Sequence, residues 1–91
     1  MSFYEELTDE QVFSTAINTY RVLVLGHDYN DIFDEIYDFP MFYIDVVDFY
    51  NNSAEDIADA LYLCLKVFEE HEHYEKCSDI MNFIKKLEDG I

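Results

Sequence analysis

Residues 31–50 read DIFDEIYDFPMFYIDVVDFY, and the second half of that stretch decides the fold class. Ile44, Val46 and Val47 are β-branched and would suit a strand. Against this, Tyr43, Val46, Val47 and Tyr50 fall at i, i+3, i+4 and i+7, the spacing of one helical face. A strand here would also find no partner elsewhere in the chain. Pro40 keeps the residue before it out of the helical region and itself suits a first helical turn. The reading is therefore one short helix ending before Pro40 and another over residues 41–50.

The flanking sequence agrees. Upstream, Ile32, Phe33, Ile36 and Tyr37 give residues 31–38 an apolar side, with Asp28 or Asn30 as the cap. Before that, Thr8 and Gln11 form a capping-box pair. Val12, Phe13, Ala16, Ile17, Tyr20, Leu23 and Val24 follow at helical spacing, and Gly26 supplies a stop. This predicts a first helix over residues 9–25. Downstream, residues 51–53 read as a turn, with Ser53 as N-cap and Asp56 at N3. Ile57, Ala60, Leu61, Cys64, Leu65 and Phe68 then make an amphipathic stripe. EEHEHYEK, residues 69–76, interrupts it. A last helix carries Cys77, Ile80, Met81, Ile84 and Leu87 to near Gly90. Lys85 and Lys86 in its final turn complement the helix dipole. The predicted fold is all-α: four to five short helices in a compact acidic bundle, forming a single domain over residues 1–91.

Composition supports this class. Gly 2 and Pro 1 are too few for an all-β chain, and a hydrophobic fraction of 51% with 18% aromatics can fill a core. A chain of 91 residues still buries a small core, so dimerisation would help it. Cys64 and Cys77 fit neither a disulfide framework nor a CxxC site, and both fall on apolar helical positions. The opening MSFYEELTDEQ is acidic where a secretory signal needs a basic start. No apolar run reaches a membrane-spanning length, and an anionic membrane would repel the chain. The expected location is the cytoplasm.

The sign of the charge sets this sequence apart. Asp and Glu number 21 against 5 Lys and Arg, a net charge of −16. Self-repulsion of that size opposes compaction, and an ordinary surface mixes both signs. From Val22 to Leu65 there is no Lys or Arg at all. Within that span Asp31, Asp34, Glu35 and Asp38 share one predicted helical face, where like charges repel by a few tenths of a kcal/mol per pair, about 0.2–0.5. Asp45 and Asp48 repeat the spacing on the predicted third helix. Asp28 precedes the second helix, and Glu55, Asp56 and Asp59 crowd the start of the fourth. The dipole at a helix start accounts for that last cluster; it does not account for the others. One reading is a solvated face. The other is an anionic surface built for a cationic partner. Duplex DNA carries one charge per about 1.7 Å of axis, so this net charge matches roughly 27 Å of duplex. Carboxylates one helical turn apart, about 5.4 Å, also approach phosphate spacing along a strand.

Other chemistries fit poorly. His73 and Cys77 are spaced i, i+4, as two metal ligands would be, but His71 points elsewhere and no third ligand is evident. DYNDIFDEIYD has oxygen ligands without the glycine or periodicity of a calcium loop. Carboxylate pairs abound, yet nothing sets one apart as an acid or base. Acyl carrier proteins are also small, acidic and helical, but Ser53 in NNSAED lacks their Asp-Ser-Leu frame. No enzyme activity, cofactor or metal is expected.

At Phe39, Pro40, Met41, Phe42, Tyr43, Ile44, Asp45, Val46 and Val47 the chain resembles the Ocr antirestriction proteins of phages. That family has an apolar residue, Pro, any residue, an aromatic, Tyr, any residue, Asp and then apolar residues. VFSTAINTYRVL, residues 12–23, is similar to the family's first helix, and residues 53–86 are similar in pattern to its later helices. This chain departs from the family in being shorter and in carrying Lys85 and Lys86 where the family has a long acidic tail. The resemblance implies an all-α homodimer that imitates bent DNA and fills the DNA groove of type I restriction enzymes. Asp45 matches the family's Asp; the other acids match in character. The expectation is a phage- or mobile-element-encoded DNA mimic acting in the host cytoplasm on a basic DNA-binding defence protein, restriction or CRISPR, and binding no nucleic acid itself. The expected contact residues are Asp28, Asp31, Asp34, Glu35, Asp38, Asp45, Asp48, Glu55, Asp56 and Asp59. The alternative is an acidic interaction module that binds one basic protein through aromatic hot spots.

Overall fold

The computed structural model describes residues 8–35, 40–46 and 51–89, with the backbone alone for Asp34 and Glu35. Four helices lie within them: α1 (Asp9–Leu23), α2 (Tyr29–Glu35), α3 (Ala54–Glu70) and α4 (Tyr74–Asp89). The described residues contain no strand, so the chain is all-α. The radius of gyration is 13.0 Å, close to the roughly 12 Å of a compact chain this long.

The predicted capping box at Thr8 forms, and the predicted Ser53 cap closes into a second one. The Thr8 hydroxyl accepts from Gln11 N–H at 3.1 Å, and the Gln11 side chain accepts from Thr8 N–H at 2.9 Å. Ser53 and Asp56 make the same reciprocal pair, both bonds at 3.1 Å. The helix ends follow from backbone chemistry. α1 stops two residues before the predicted Leu25, in a wide turn where Leu25 N–H donates to Tyr20 and His27 N–H to Arg21. Gly26 takes φ +73° there, in the left-handed region glycine tolerates. α2 starts earlier than expected because the Asp28 side chain accepts from Asn30 N–H at 2.9 Å. Its predicted extension to residue 38 lies outside the described residues. α3 runs to Glu70, and α4 begins at Tyr74, so only residues 71–73 interrupt the helices. That turn is a Schellman closure: His73 N–H donates to Phe68 and Glu72 N–H to Glu69. Its left-handed residue is Glu72, φ 61°, rather than a glycine. An acidic side chain in that conformation costs about 1–2 kcal/mol.

The core joins α1, α3 and α4. α3 is the middle element, packing on both α1 and α4. Phe68 is fully buried, and Phe13 and Tyr20 of α1 meet its ring edge-on at 5.9 and 5.8 Å. Ala16, Leu61, Cys64, Ile80 and Ile84 complete the centre. Each large side chain buried in this way contributes about 1.5–3 kcal/mol. α1 and α4 are tied at the edge by Tyr20, whose hydroxyl donates to Asp79 Oδ2 at 2.7 Å. Burial first, and the bonded Asp79 carboxylate second, push the Tyr20 phenol up to about 12, so it stays a donor at neutral pH. The Lys76 ammonium lies 6.0 Å from the centre of the same ring.

The predicted third helix is corrected. Residues 40–46 are irregular, and 47–50 lie outside the described residues. The helical spacing of Tyr43 and Val46 is outweighed by polar groups on α1. Thr19 Oγ1 accepts from Tyr43 N–H at 3.0 Å, and Asn18 Nδ2 donates to the Met41 carbonyl at 3.3 Å. Those two backbone groups are satisfied by side chains of α1, as buried groups must be. Pro40 and Val46 are buried at either end of the segment, and Tyr43 and Ile44 pack on the core. Asp45 is therefore not on a helix, and Asp48, expected at i+3 from it, lies outside the described residues. α2 is held nearby by the fully buried Ile32 and by Phe33, whose ring lies 6.3 Å from that of Phe42.

Thr19 is fully buried and also donates to the Thr15 carbonyl at 2.8 Å. Thr19→Val keeps the shape but leaves Tyr43 N–H without its acceptor. The expected cost is about 1–3 kcal/mol, read as a lower urea midpoint. An unchanged midpoint would mean that the segment is not held by this bond.

Candidate functional site

Six of the ten expected contact residues have described side chains: Asp28, Asp31, Asp45, Glu55, Asp56 and Asp59. All six are exposed. Asp34 and Glu35 lie in α2, at i+3 and i+4 from Asp31, but their side chains fall outside the description, as do Asp38 and Asp48 altogether.

The fold gathers these six toward one end of the molecule. α1 and α3 run antiparallel: Phe13 lies 4.7 Å from His71 at one end, while the Cys64 thiol donates to the Ala16 carbonyl at 3.6 Å further along. The corner after α1, with Asp28 and Asp31, thus falls at the same end as the first turn of α3, with Glu55 and Asp56. Asp45 joins them because Asn52 Nδ2 donates to its carbonyl at 2.8 Å, next to the Ser53 cap. Asp59 follows one turn along α3.

The six do different work. Asp28 caps α2, and Asp56 closes the capping box of α3. Their carboxylates are partly engaged by backbone N–H groups. Asp31 and Glu55 are exposed in the first turns of α2 and α3, where the helix dipole favours acids, and Asp59 is exposed further along α3. Glu55 and Asp59 are spaced i, i+4, so their like charges oppose the helix slightly.

The break in cations along the chain is not a break in space. Arg21 Nε donates to His27 Nδ1 at 3.1 Å, which brings a guanidinium to the corner before Asp28. The last turn of α4 reaches the same end. Lys86 lines a groove of about 350 Å³ with Val24, Leu25, Asp79, Asn82 and Phe83. The acidic end is therefore bordered by Lys86 on its α4 side and by Arg21 at the corner after α1, an arrangement linear spacing did not reveal.

The remaining chemical candidates have structural roles. His71 and His73 lie against the Phe13 ring at 4.7 and 5.2 Å. Among the described residues, no three His, Cys, Asp or Glu side chains are grouped to hold a metal ion. Burial pushes the Cys64 thiol up to about 12 and raises that of Cys77, so neither is an activated nucleophile. No described helix is long and apolar enough to cross a membrane. Sequence reasoning missed the exposed apolar side chains Tyr62, Leu63, Tyr74 and Met81. Tyr62 and Leu63 stand off the α3 core stripe, which was the available signal.

The division of labour among the acids is measurable by urea denaturation. Asp56→Ala removes the acceptor for Ser53 N–H and should lower stability by about 0.5–2 kcal/mol. Asp59→Ala should stay within about 0.5 kcal/mol. Equal losses from both would contradict the separation of cap from surface.

No family model, no curated protein and no solved structure matches this chain.

Proposed function

We propose that this protein is an inhibitor that mimics DNA. It would occupy the DNA-binding groove of a basic host-defence enzyme, placing carboxylates where phosphates sit. The observation that carries this reading is the grouping at one end of Asp28, Asp31, Asp45, Glu55, Asp56 and Asp59, all exposed, from a span of sequence without Lys or Arg. Capping explains Asp28 and Asp56, and the helix dipole favours Asp31 and Glu55 in the first turns of α2 and α3. Gathering six like charges at one end still opposes folding, whereas a cationic groove would turn that repulsion into attraction.

The mechanism involves no bond chemistry. Helices and the segment fixed by Asn18 and Thr19 hold the acids in place before binding, so little ordering is lost on association. Long-range attraction speeds encounter with a basic surface, and the same charge keeps DNA itself away. The resemblance at residues 39–47 supports a phage or mobile-element source and a type I restriction enzyme as target. A CRISPR nuclease would present a similar basic channel. The flanking Lys86 directs the contact to the side of the acidic end away from α4.

Asp31→Asn, Asp45→Asn, Glu55→Gln and Asp59→Asn together test this reading in a DNA-displacement assay on type I restriction and CRISPR enzymes. Each exposed charge pair contributes about 0.2–1 kcal/mol, so the quadruple variant should inhibit the susceptible enzyme at least ~4-fold less well. A folded variant that inhibits like the parent protein would sink the reading.

A further inference from the structure

The side of α4 next to the end of α1 presents Asp79, Asn82, Phe83 and Lys86 at i, i+3, i+4 and i+7. With Val24 and Leu25 they line the groove of about 350 Å³, within the roughly 300–1,000 Å³ of small-ligand sites. Its walls are apolar. Val24 and Phe83 are half-buried and packed on the core, and Leu25 is 50% exposed. Its two ends carry opposite charges. At one end, the Tyr20 hydroxyl donates to Asp79 Oδ2 at 2.7 Å and fixes that carboxylate against α1. At the other stands the exposed Lys86, two helical turns on, about 10.5 Å along the axis. Between them Asn82 offers an amide, donor and acceptor together, as a peptide group does.

We infer that this groove holds a short extended peptide with free ends: its ammonium group at Asp79, an apolar central side chain against Val24, Leu25 and Phe83, and its carboxylate at Lys86. The occupant follows from charge and length. A purely anionic ligand would meet Asp79 and the chain's net charge of −16. A purely cationic one would meet Lys86. A neutral apolar one would desolvate both charged groups and pair neither. A zwitterion pairs both, and the spacing sets its length. An extended chain advances about 3.3 Å per residue, so three residues span the roughly 10 Å between the charges. A single amino acid is too short to reach both ends. The order of the charges fixes the direction of the peptide, and the Asn82 amide meets its backbone midway. The inference rests on this groove alone and does not depend on DNA mimicry.

Titration of Ala-Leu-Ala with free ends into the isotope-labelled full chain, followed by the amide shifts in NMR spectra, tests it. The expected result is saturable binding in the millimolar range, with shifts concentrated at Val24, Leu25, Asn82, Phe83 and Lys86. The N-acetylated and the C-amidated peptide should each bind about 2–5-fold more weakly, and Ala-Gly-Ala at least ~3-fold more weakly. Each end is then assigned by its own variant. In Asp79→Asn, whose side-chain oxygen still accepts from Tyr20, acetylation should cease to matter while amidation still does. In Lys86→Gln the reverse should hold. A charged peptide gathered loosely by the acidic surface would keep its dependence on the ammonium group in Asp79→Asn, and that result overturns the inference. So do shifts centred elsewhere, binding that never saturates, or blocked peptides that bind like the free one. None of these results alters displacement of DNA from an enzyme, so the two readings can fail separately.

Discussion

The hydroxyl of Thr19 satisfies two backbone groups at once: it donates to the Thr15 carbonyl and accepts from Tyr43 N–H. Asn18 beside it takes the Met41 carbonyl. A polar row on the buried side of a helix would ordinarily count against the fold. Here it pins the segment after Pro40 across α1, and no described buried side-chain nitrogen or oxygen is without a partner. The position of that segment places Pro40, Tyr43 and Val46 inward and leaves Asp45 exposed. Through Asn52 it also meets the start of α3. The acidic end of the molecule therefore rests on uncharged hydrogen bonds beneath it.

Two demands compete in this chain. Folding favours dispersed or paired charge, and the net charge of −16 is neither. The conflict is eased locally. Capping engages Asp28 and Asp56, Tyr20 engages Asp79, and Arg21 and Lys86 border the acidic end. What remains is an outward carboxylate surface over a core of Phe68, Leu61, Ile80 and Ile84. A cationic groove is the partner we propose for that surface.

The parts of this fold visible in the sequence are those governed by neighbours along the chain. Thr8 with Gln11, and Ser53 with Asp56, announce helix starts through residues three apart. The apolar stripe of α3 is a property of its own periodicity. The parts not visible depend on distant residues. Residues 41–46 have helical spacing, but their backbone partners are on α1, 23 and 24 residues away. Glu72 ends a helix in a conformation that sequence reading reserves for glycine. Of the candidate site, the acids themselves were legible. Their gathering at one end, and the approach of Lys86, required the antiparallel packing of α1, α3 and α4.

The central claim is that the exposed carboxylates meet a basic DNA-binding surface as phosphates do. The most direct measurement is the salt dependence of competition with duplex DNA for one such enzyme, taken as the slope of log affinity against log salt. The account predicts that binding of this protein weakens steeply with salt, with a slope comparable to that of the duplex it displaces. A binding constant flat across the same salt range would contradict it and assign recognition to the apolar surface instead.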